Sequence, residues 1–145
     1  MKSPDTSFGA VVFKEEEGER LFLLVHHASG NHWDHPKGHP EEGETPRDTA
    51  AREIREEAGS RVEFLEDFSV RTGWVLPDGR PKEVTYFLAR HIGDVPAGGP
   101  EGEILGTRWL PEAGALAAIT YDTGRDVLRE AAEHLSRRAS GCGSD

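Results

Sequence analysis

Three glutamates, Glu53, Glu56 and Glu57, are spaced three and four residues apart in a segment predicted to be helical. These spacings bring side chains onto one helix face, so three carboxylates crowd together. Like charges so placed destabilise a helix by about 0.2 to 0.5 kcal/mol per pair, which a divalent cation would offset. Mg²⁺ and Mn²⁺ prefer oxygen ligands and keep waters that substrate oxygens can replace. The pattern indicates metal-assisted attack on phosphorus.

The same charges also fit an ordinary solvated helix face, with Arg52 and Arg55 as partners of the glutamates. Charge alone gives the two interpretations equal weight, because acidic surface helices are common. The residues around this helix must therefore decide between a metal site and a solvated face.

The element that carries the glutamates has clear predicted ends. Thr45, Pro46 and Asp48 predict a helix start with a hydroxyl cap, a proline in the first turn and a capping box. Gly59 is well placed to end the helix. The preceding residues 28 to 44 are rich in Gly, Pro, His and acidic residues without any period, which predicts a long structured loop. The buried face is predicted to be a stripe of small apolar residues, Ala50, Ala51, Ile54 and Ala58.

The rest of the chain shows alternating strand and helix patterns. Runs of β-branched and apolar residues predict strands at 8–13, 20–27, 61–76, 81–92 and 106–110. Helices are predicted at 111–119 and 122–138, the second with Val127, Leu128, Ala131 and Leu135 facing inward. This order implies an α/β or α+β sandwich with a mixed sheet covered on both faces. We predict one domain over residues 1 to 138 and a disordered tail over 139 to 145.

Composition limits the partners. The 145 residues contain 17 Lys and Arg against 27 Asp and Glu, a formal charge of -10, which argues against long nucleic acids and anionic membranes as partners. No segment approaches the roughly 20 apolar residues of a membrane span, and the N-terminal apolar run is too short for a signal peptide. We expect a small-molecule partner and either a monomer or a homodimer.

Cysteine and histidine usage bears on compartment and metal type. Cys142 is the only cysteine, so neither an intramolecular disulfide nor a cysteine zinc site can form, and the cytoplasm is the expected compartment. His26, His27, His32 and His35 are scattered through a strand end and a loop, and we name none of them as a metal ligand.

The stretch GHPEEGETPRDTAAREIREEAGS, residues 38 to 60, resembles the signature of the Nudix hydrolase family. Gly38 is followed after five residues by Glu44, and after seven more by REIREEAG, which begins at Arg52. The resemblance implies that Arg52 orients the carboxylates and that Glu44 braces the loop. Ser60 departs from the aliphatic residue usual at the last position, which puts a packing contact in doubt. The implied fold is a Nudix-type α/β/α sandwich with a mixed β-sheet.

The resemblance also implies a metal site with Mg²⁺ or Mn²⁺ as cofactor. Glu56 and Glu57 would be ligands, together with the backbone carbonyl near Gly38, and Glu53 would be a ligand or the general base. A carboxylate beside a metal-bound water can accept its proton, but spacing does not identify which glutamate does so. The catalytic assignment therefore includes Glu53 and Glu57, with the base left open.

The surroundings of the signature resemble the asymmetric dinucleoside tetraphosphate hydrolase branch of this family. The matching positions are Trp33, Pro36, Lys37, Gly38, His39, Glu42, Gly43 and Glu44. Glu103, ahead of Trp109, matches a further metal ligand or base of this branch. Glu101 competes for that role, and we prefer Glu103 by its distance to Trp109.

The branch resemblance implies a substrate and the residues that bind it. Lys37, His39 and Lys82 would bind a polyphosphate by charge and hydrogen bonds, and Tyr86 would stack on adenine. The alternatives are an ordinary surface charge for Lys82 and a strand core aromatic for Tyr86. The implied reaction is cleavage of a diadenosine polyphosphate, such as the tetraphosphate to ATP and AMP.

Other substrates remain open at this point. A nucleoside triphosphate, a diphosphoinositol polyphosphate and the pyrophosphate of an RNA end are rivals within the same chemistry. A non-catalytic module that senses nucleotides is the rival of another class, and the intact glutamate set argues against it.

Overall fold

The structure, a computed structural model, describes residues 3 to 143 and the side chains of residues 3 to 139. Its elements are β1 (Asp5–Glu16), β2 (Glu19–His27), β3 (His32–Asp34), β4 (Lys37–Gly38), α1 (Pro46–Ala58), β5 (Ser60–Val75), β6 (Pro81–Asp94), β7 (Ile104–Leu110), α2 (Glu112–Ala118) and α3 (Asp122–Gly143). Every predicted strand and helix is present. None of the helices within residues 3 to 143 is long and apolar enough to cross a membrane.

The strands form one mixed sheet. Its main path runs β3-β2-β1-β6-β5, with β4 added beside β1 and β7 beside β2. Only β1 and β6 pair in parallel, from Asp5 opposite Lys82 to Phe13 opposite Arg90, and the other pairs in the described chain are antiparallel. The parallel pair places the N-terminal ends of β1 and β6 at the same edge of the sheet, which is where the candidate site lies.

Helices cover both faces of the sheet, as predicted. α1 buries Ala50 and Ile54 against one face, and α2 and α3 cover the other. All four residues predicted to face inward from α3 are buried: Val127, Leu128, Ala131 and Leu135. Alternate residues of β1 and β6 divide between the two cores, because side chains on a strand point to opposite faces in turn. The predicted α/β/α sandwich with a mixed β-sheet is therefore confirmed.

The predicted ends of α1 are confirmed. The hydroxyl of Thr45 accepts a hydrogen bond from the Asp48 amide at 3.1 Å, and the Asp48 carboxylate accepts one from the Thr45 amide at 3.2 Å. Pro46 begins the helix, and Gly59 ends it with φ of 63°, a left-handed conformation that favours glycine. Local sequence thus fixes where the glutamate face begins and ends.

The prediction that residues 28 to 44 form only a loop is wrong, because β3 and β4 lie within them. β3 pairs with β2, and β4 pairs with β1 beside Phe8 and Gly9. A Cβ atom on Gly9 would overlap the Pro36 carbonyl, so the glycine permits this close approach. Strands of two and three residues are too short to show a hydrophobic period.

The last helix is longer than predicted. α3 continues to Gly143, five residues past the predicted end at residue 138. The predicted disordered tail, residues 139 to 145, overlaps this last turn, and its residues 144 and 145 lie outside the described part of the chain.

Candidate active site

α1 presents Glu53, Glu56 and Glu57 toward β4, which passes very close to the helix. A Cβ atom on Gly38 would overlap the carboxylate of Glu53, so glycine at this point lets β4 lie against the helix without displacing that carboxylate. One residue earlier in β4, the Lys37 amide donates a hydrogen bond to Glu57 Oε1 at 3.3 Å. The backbone of β4 thus lines one side of the carboxylate cluster.

The carboxylates of Glu53 and Glu57 are neighbours, and their negative charges repel each other. Burial, together with the negative charge of Glu53, raises the pKa of Glu57 to about 9. Burial likewise raises the pKa of Glu53. Either a proton or a divalent cation bound to this pair would relieve the repulsion.

This donor set fits a hard divalent cation. Among the described residues, no three carboxylate, imidazole or thiol side chains already converge as a preformed metal site. Mg²⁺, however, is commonly held by one or two carboxylates together with waters and substrate phosphates. The close pair of Glu53 and Glu57, with the backbone of Gly38 beside it, supplies oxygen ligands of that kind.

Arg52 connects the carboxylates to the loop that precedes α1. Its Nη1 donates to Glu53 Oε1 at 2.7 Å and to Glu56 Oε2 at 3.2 Å, and its Nε donates to Glu44 Oε2 at 2.6 Å. Its Nη2 also donates to the His39 carbonyl at 2.8 Å. A single half-buried guanidinium therefore holds two carboxylates of α1 in place and ties them to the loop.

Glu44 accepts hydrogen bonds from two groups besides Arg52. The Glu41 amide lies 2.8 Å and the Thr49 hydroxyl 2.9 Å from Glu44 Oε1, which also accepts from Arg52 Nη2 at 3.0 Å. The hydrogen bond from Arg52 is the main reason why the pKa of Glu44 falls from 4.5 to about 2. This is the arrangement that a loop brace requires, and the bracing role remains a prediction.

Glu44→Gln should lower the thermal unfolding temperature at pH 7, because Arg52 loses a charged partner. A folded-state pKa below 4.5 means that the carboxylate stabilises the fold above about pH 4.5. That contribution is lost as the pH falls toward about 2. The difference between wild type and variant should thus shrink over this range, measured by circular dichroism. Glu42→Gln, at a neighbouring exposed glutamate, is the control, and a pH-independent difference would contradict the prediction.

The carboxylate cluster lies in a cleft of about 690 Å³. The cleft brings together most residues that the sequence nominated: Lys37, Gly38, His39, Arg52, Glu53, Glu56, Glu57, Lys82 and Glu103. His27 and His32 also line it, and their rings stack with centroids 4.9 Å apart. Carboxylates and cations therefore face one space, as hydrolysis of a polyphosphate would require.

Each lysine of the cleft is paired with an aspartate that the sequence gave no reason to select. Lys37 Nζ lies 2.9 Å from Asp34 Oδ2, and Lys82 Nζ lies 2.9 Å from Asp5 Oδ1. His39 Nε2 lies 2.6 Å from the same oxygen of Asp5. These contacts fix the positions of Lys37, His39 and Lys82. The two Asp5 contacts could not be found from sequence, because they depend on the pairing of β1 with β4 and β6, whereas Asp34 and Lys37 are only three residues apart.

The predicted stacking role of Tyr86 is wrong in this structure. Its side chain is only 2% exposed and lies in the core among Val84, Leu88 and the residues of α3. Alternation along β6 places Tyr86 on the covered face of the sheet, and its ring meets the edge of His35 at 5.6 Å. The alternative of a strand core aromatic describes its position correctly.

Two exposed aromatic residues near the cleft were missed. Tyr121 is 55% exposed, and its ring lies 5.5 Å from that of His32. Trp74 is 45% exposed and stands opposite Lys82 in the pairing of β5 with β6. No local motif marks either residue: sheet register brings Trp74 near the cleft, and the start of α3 brings Tyr121 there.

The structure separates Glu103 from Glu101. Glu103 lines the cleft, whereas Glu101 lines an adjacent depression and does not line the cleft itself. The Glu103 carbonyl accepts a hydrogen bond from the Ala28 amide at 2.9 Å, which fixes the backbone just before β7.

Ser60, the departure from the family signature, has a specific partner. Its side chain is buried and its Oγ lies 2.6 Å from His91 Nδ1. A hydrogen bond to β6 therefore replaces the packing contact that an aliphatic residue would make.

The comparisons with known proteins agree with this architecture. Residues 4 to 131 match the NUDIX domain, and the chain belongs to the Nudix hydrolase family. Within that family it resembles the asymmetric tetraphosphatase branch. A crystal structure of a C. elegans Ap4A hydrolase binary complex superposes with a TM-score of 0.79, at 28% identity, over 91% of this chain and 98% of that one.

Two curated relatives show how far the likeness extends. The asymmetrical bis(5'-nucleosyl)-tetraphosphatase of Sus scrofa is 42% identical over 72 residues, 47% of this chain and 48% of that protein. The 8-oxo-(d)GTP phosphatase of Mycolicibacterium smegmatis is 33% identical over 106 residues, 73% of this chain and 32% of that protein. The chain spans about half the length of the curated relatives with which it aligns most strongly.

Proposed function

We propose that this chain is a Mg²⁺- or Mn²⁺-dependent pyrophosphohydrolase that cleaves diadenosine polyphosphates, with ATP and AMP released from the tetraphosphate. The observation that carries this proposal is the cleft in which the glutamates of α1 face Lys37 and Lys82. The relatives named as tetraphosphatases and as Ap4A hydrolase support the choice of substrate. By the cysteine argument, we place this activity in the cytoplasm.

The residues of the cleft divide into three tasks. Glu53, Glu56 and Glu57, with the backbone of Gly38, would hold the cation. When bound, that cation would stabilise the charge that develops on phosphate oxygens and favour deprotonation of a water. Arg52 would orient the carboxylates of Glu53 and Glu56 through hydrogen bonds of 2.7 and 3.2 Å.

The cations on the other side of the cleft would bind the polyphosphate chain. Lys37 and Lys82 are held by Asp34 and Asp5, so their ammonium groups are fixed before a ligand arrives. Each ammonium has three donors, and the aspartate contact uses only part of this capacity. Charge-assisted hydrogen bonds to phosphate oxygens are the contacts that remain available.

The proposed reaction balances with water as the only co-substrate. The water oxygen forms a bond to a bridge phosphorus, and the bond from that phosphorus to the bridging oxygen breaks. One product leaves as ATP and the other as AMP. The water proton passes to a carboxylate, for which Glu53, Glu57 and Glu103 are the candidates.

A substrate panel tests this function. Diadenosine tetraphosphate, nucleoside triphosphates, 8-oxo-dGTP, a diphosphoinositol polyphosphate and RNA with a 5'-triphosphate are incubated with Mg²⁺, with Mn²⁺ and with a chelator. Products are separated by chromatography. Metal-dependent formation of equal amounts of ATP and AMP from the tetraphosphate is the expected result. Turnover that is faster on another substrate would replace the substrate assignment, and turnover that persists with the chelator would reject metal dependence.

A nucleoside triphosphate is the second candidate substrate. It is favoured by the relative named as an 8-oxo-(d)GTP phosphatase, whose match extends over 73% of this chain. A non-catalytic nucleotide sensor is the candidate of another class. Binding of nucleotides without any product in the panel would favour that sensor over both enzymes.

Two exposed aromatic residues are the candidates for binding the bases. We expect Trp74→Ala and Tyr121→Ala each to raise KM for diadenosine tetraphosphate, because stacking contributes about 1 to 3 kcal/mol per base, or roughly 5- to 150-fold. Phenylalanine at either position should restore most of the loss. Inhibition by tripolyphosphate, which has no base, should be unchanged.

Val75→Ala, at an exposed neighbour of Trp74, is the matched control for the stacking prediction. Equal effects on KM and on tripolyphosphate inhibition would indicate that the aromatic residues act on the fold of the cleft instead of on a base.

A further inference from the structure

The segment between β6 and β7, residues 95 to 103, is fastened to the C-terminal end of α1. The Val95 amide donates to the Gly59 carbonyl at 2.8 Å, and the Gly99 amide donates to the Glu56 carbonyl at 3.2 Å. The second contact joins the segment to the turn of α1 that carries two candidate metal ligands.

Gly99 and Gly98 differ sharply in their surroundings. A Cβ atom on Gly99 would lie 3.0 Å from the Glu56 carbonyl oxygen and 3.1 Å from Glu56 Cβ. The oxygen belongs to the backbone of a helix and cannot turn aside as the end of a long side chain can. A Cβ atom on Gly98 would meet nothing within 4 Å. The close approach therefore depends on glycine at one position and not at its neighbour.

A tight turn connects Gly99 to Glu103. The Glu103 amide donates to the Pro100 carbonyl at 3.4 Å, and Gly102 has φ of 87°, as the third residue of a type II turn does. On the far side, the Ala28 amide donates to the Glu103 carbonyl at 2.9 Å. Glu103 is thus held between a contact on α1 and a contact on the end of β2.

We propose that Gly99 is a positioning residue, whose lack of a side chain lets residues 99 to 103 lie against α1 and sets the place of Glu103 in the cleft. This inference rests on the proposed function, in which Glu103 serves as a metal ligand or base. A methyl group at Gly99 forces the segment away from Glu56 by a few tenths of an ångström. The turn transmits that shift to Glu103.

The experiment compares Gly99→Ala with Gly98→Ala, which adds the same methyl group one residue earlier. Gly99→Ala is expected to lower kcat/KM on diadenosine tetraphosphate by roughly tenfold, since an error of about 1 Å in a catalytic group can cost about a hundredfold. Gly98→Ala is expected to leave it unchanged. In the Glu103→Gln background, Gly99→Ala should cause no further loss, because its effect acts through the Glu103 carboxylate.

Hydrogen exchange of the metal-free protein gives a readout that needs no activity. The Ala28 amide donates to the Glu103 carbonyl, so it should exchange faster in Gly99→Ala than in wild type. Its exchange rate in Gly98→Ala should equal that of wild type. The inference would be overturned if the losses of kcat/KM from Gly99→Ala and Glu103→Gln multiplied in the double variant. It would also be overturned if Ala28 exchanged at the wild-type rate in Gly99→Ala.

Two further outcomes are separable. If wild type hydrolyses nothing in the panel, the proposed function fails, and the exchange comparison alone decides on Gly99. If Gly99→Ala does not fold, Gly102→Ala takes its place. The added Cβ atom at residue 102 would meet nothing within 4 Å, so this variant would shift Glu103 only through backbone strain at φ of 87°. The same dependence on the Glu103 carboxylate is then expected, and independence from it would overturn the inference.

Discussion

Glu57→Gln should reduce hydrolysis of diadenosine tetraphosphate by roughly 10²- to 10⁴-fold, the range expected for loss of an acid-base or ligand carboxylate. Glutamine keeps the size of the side chain and can still accept a hydrogen bond from the Lys37 amide, which lies 3.3 Å from Glu57 Oε1. It cannot, however, supply a charged oxygen to a cation. The measurement is steady-state kcat with saturating Mg²⁺.

The matched control for Glu57→Gln is Glu130→Gln, which makes the same chemical change at an exposed position of α3. It should retain full activity. Titration of Mn²⁺ in both variants provides a second readout, in which only Glu57→Gln binds more weakly. Hydrolysis of every tested nucleotide at the wild-type rate by Glu57→Gln would reject metal-assisted catalysis by this cluster.

Local features of the site could be predicted from sequence because local chemistry determines them. The capping box of Thr45 and Asp48 and the left-handed Gly59 follow from residue type at fixed spacing. Helical period places Glu53 and Glu57 on one face for the same reason. These rules act over a few residues, so they hold whatever the rest of the fold does.

Contacts between distant segments could not be predicted in this way. Tyr86 was assigned to the base because its position in the chain matched the family, but alternation along β6 turns it into the core. Trp74 and Tyr121 are exposed near the cleft only because of sheet register and the start of α3. One residue of register decides between a buried and an exposed ring, and the sequence does not state the register.

The fold places positive charge in the cleft although the chain as a whole is acidic. A net charge of -10 opposes binding of a polyphosphate, yet the cleft contains Lys37 and Lys82. Both are paired with aspartates, so acidic residues fix these two cations on the side of the cleft that faces α1. A divalent cation on the glutamates would add positive charge at the same place. Binding of a long anion should therefore depend strongly on metal.

Gly38→Ala is the second change expected to have a large effect, although it adds only one methyl group. That methyl would overlap the Glu53 carboxylate, which Arg52 Nη1 holds at 2.7 Å. Either Glu53 leaves Arg52, or β4 moves from α1 and breaks the bond between the Lys37 amide and Glu57. Both routes displace a candidate ligand by about 1 Å, which corresponds to a loss of roughly a hundredfold in kcat/KM.

The effect of Gly38→Ala depends on the distance between β4 and α1, whereas the glutamate motif depends on residue type alone. Gly38→Ala should weaken Mn²⁺ binding together with the loss of activity, since both depend on the position of Glu53. Gly98→Ala, where a methyl group meets nothing within 4 Å, should change neither. If Gly38→Ala kept wild-type Mn²⁺ affinity and turnover, the cation would have to be held without the contact between β4 and Glu53. The carboxylates of Glu56 and Glu103 would then be the ligands to test next.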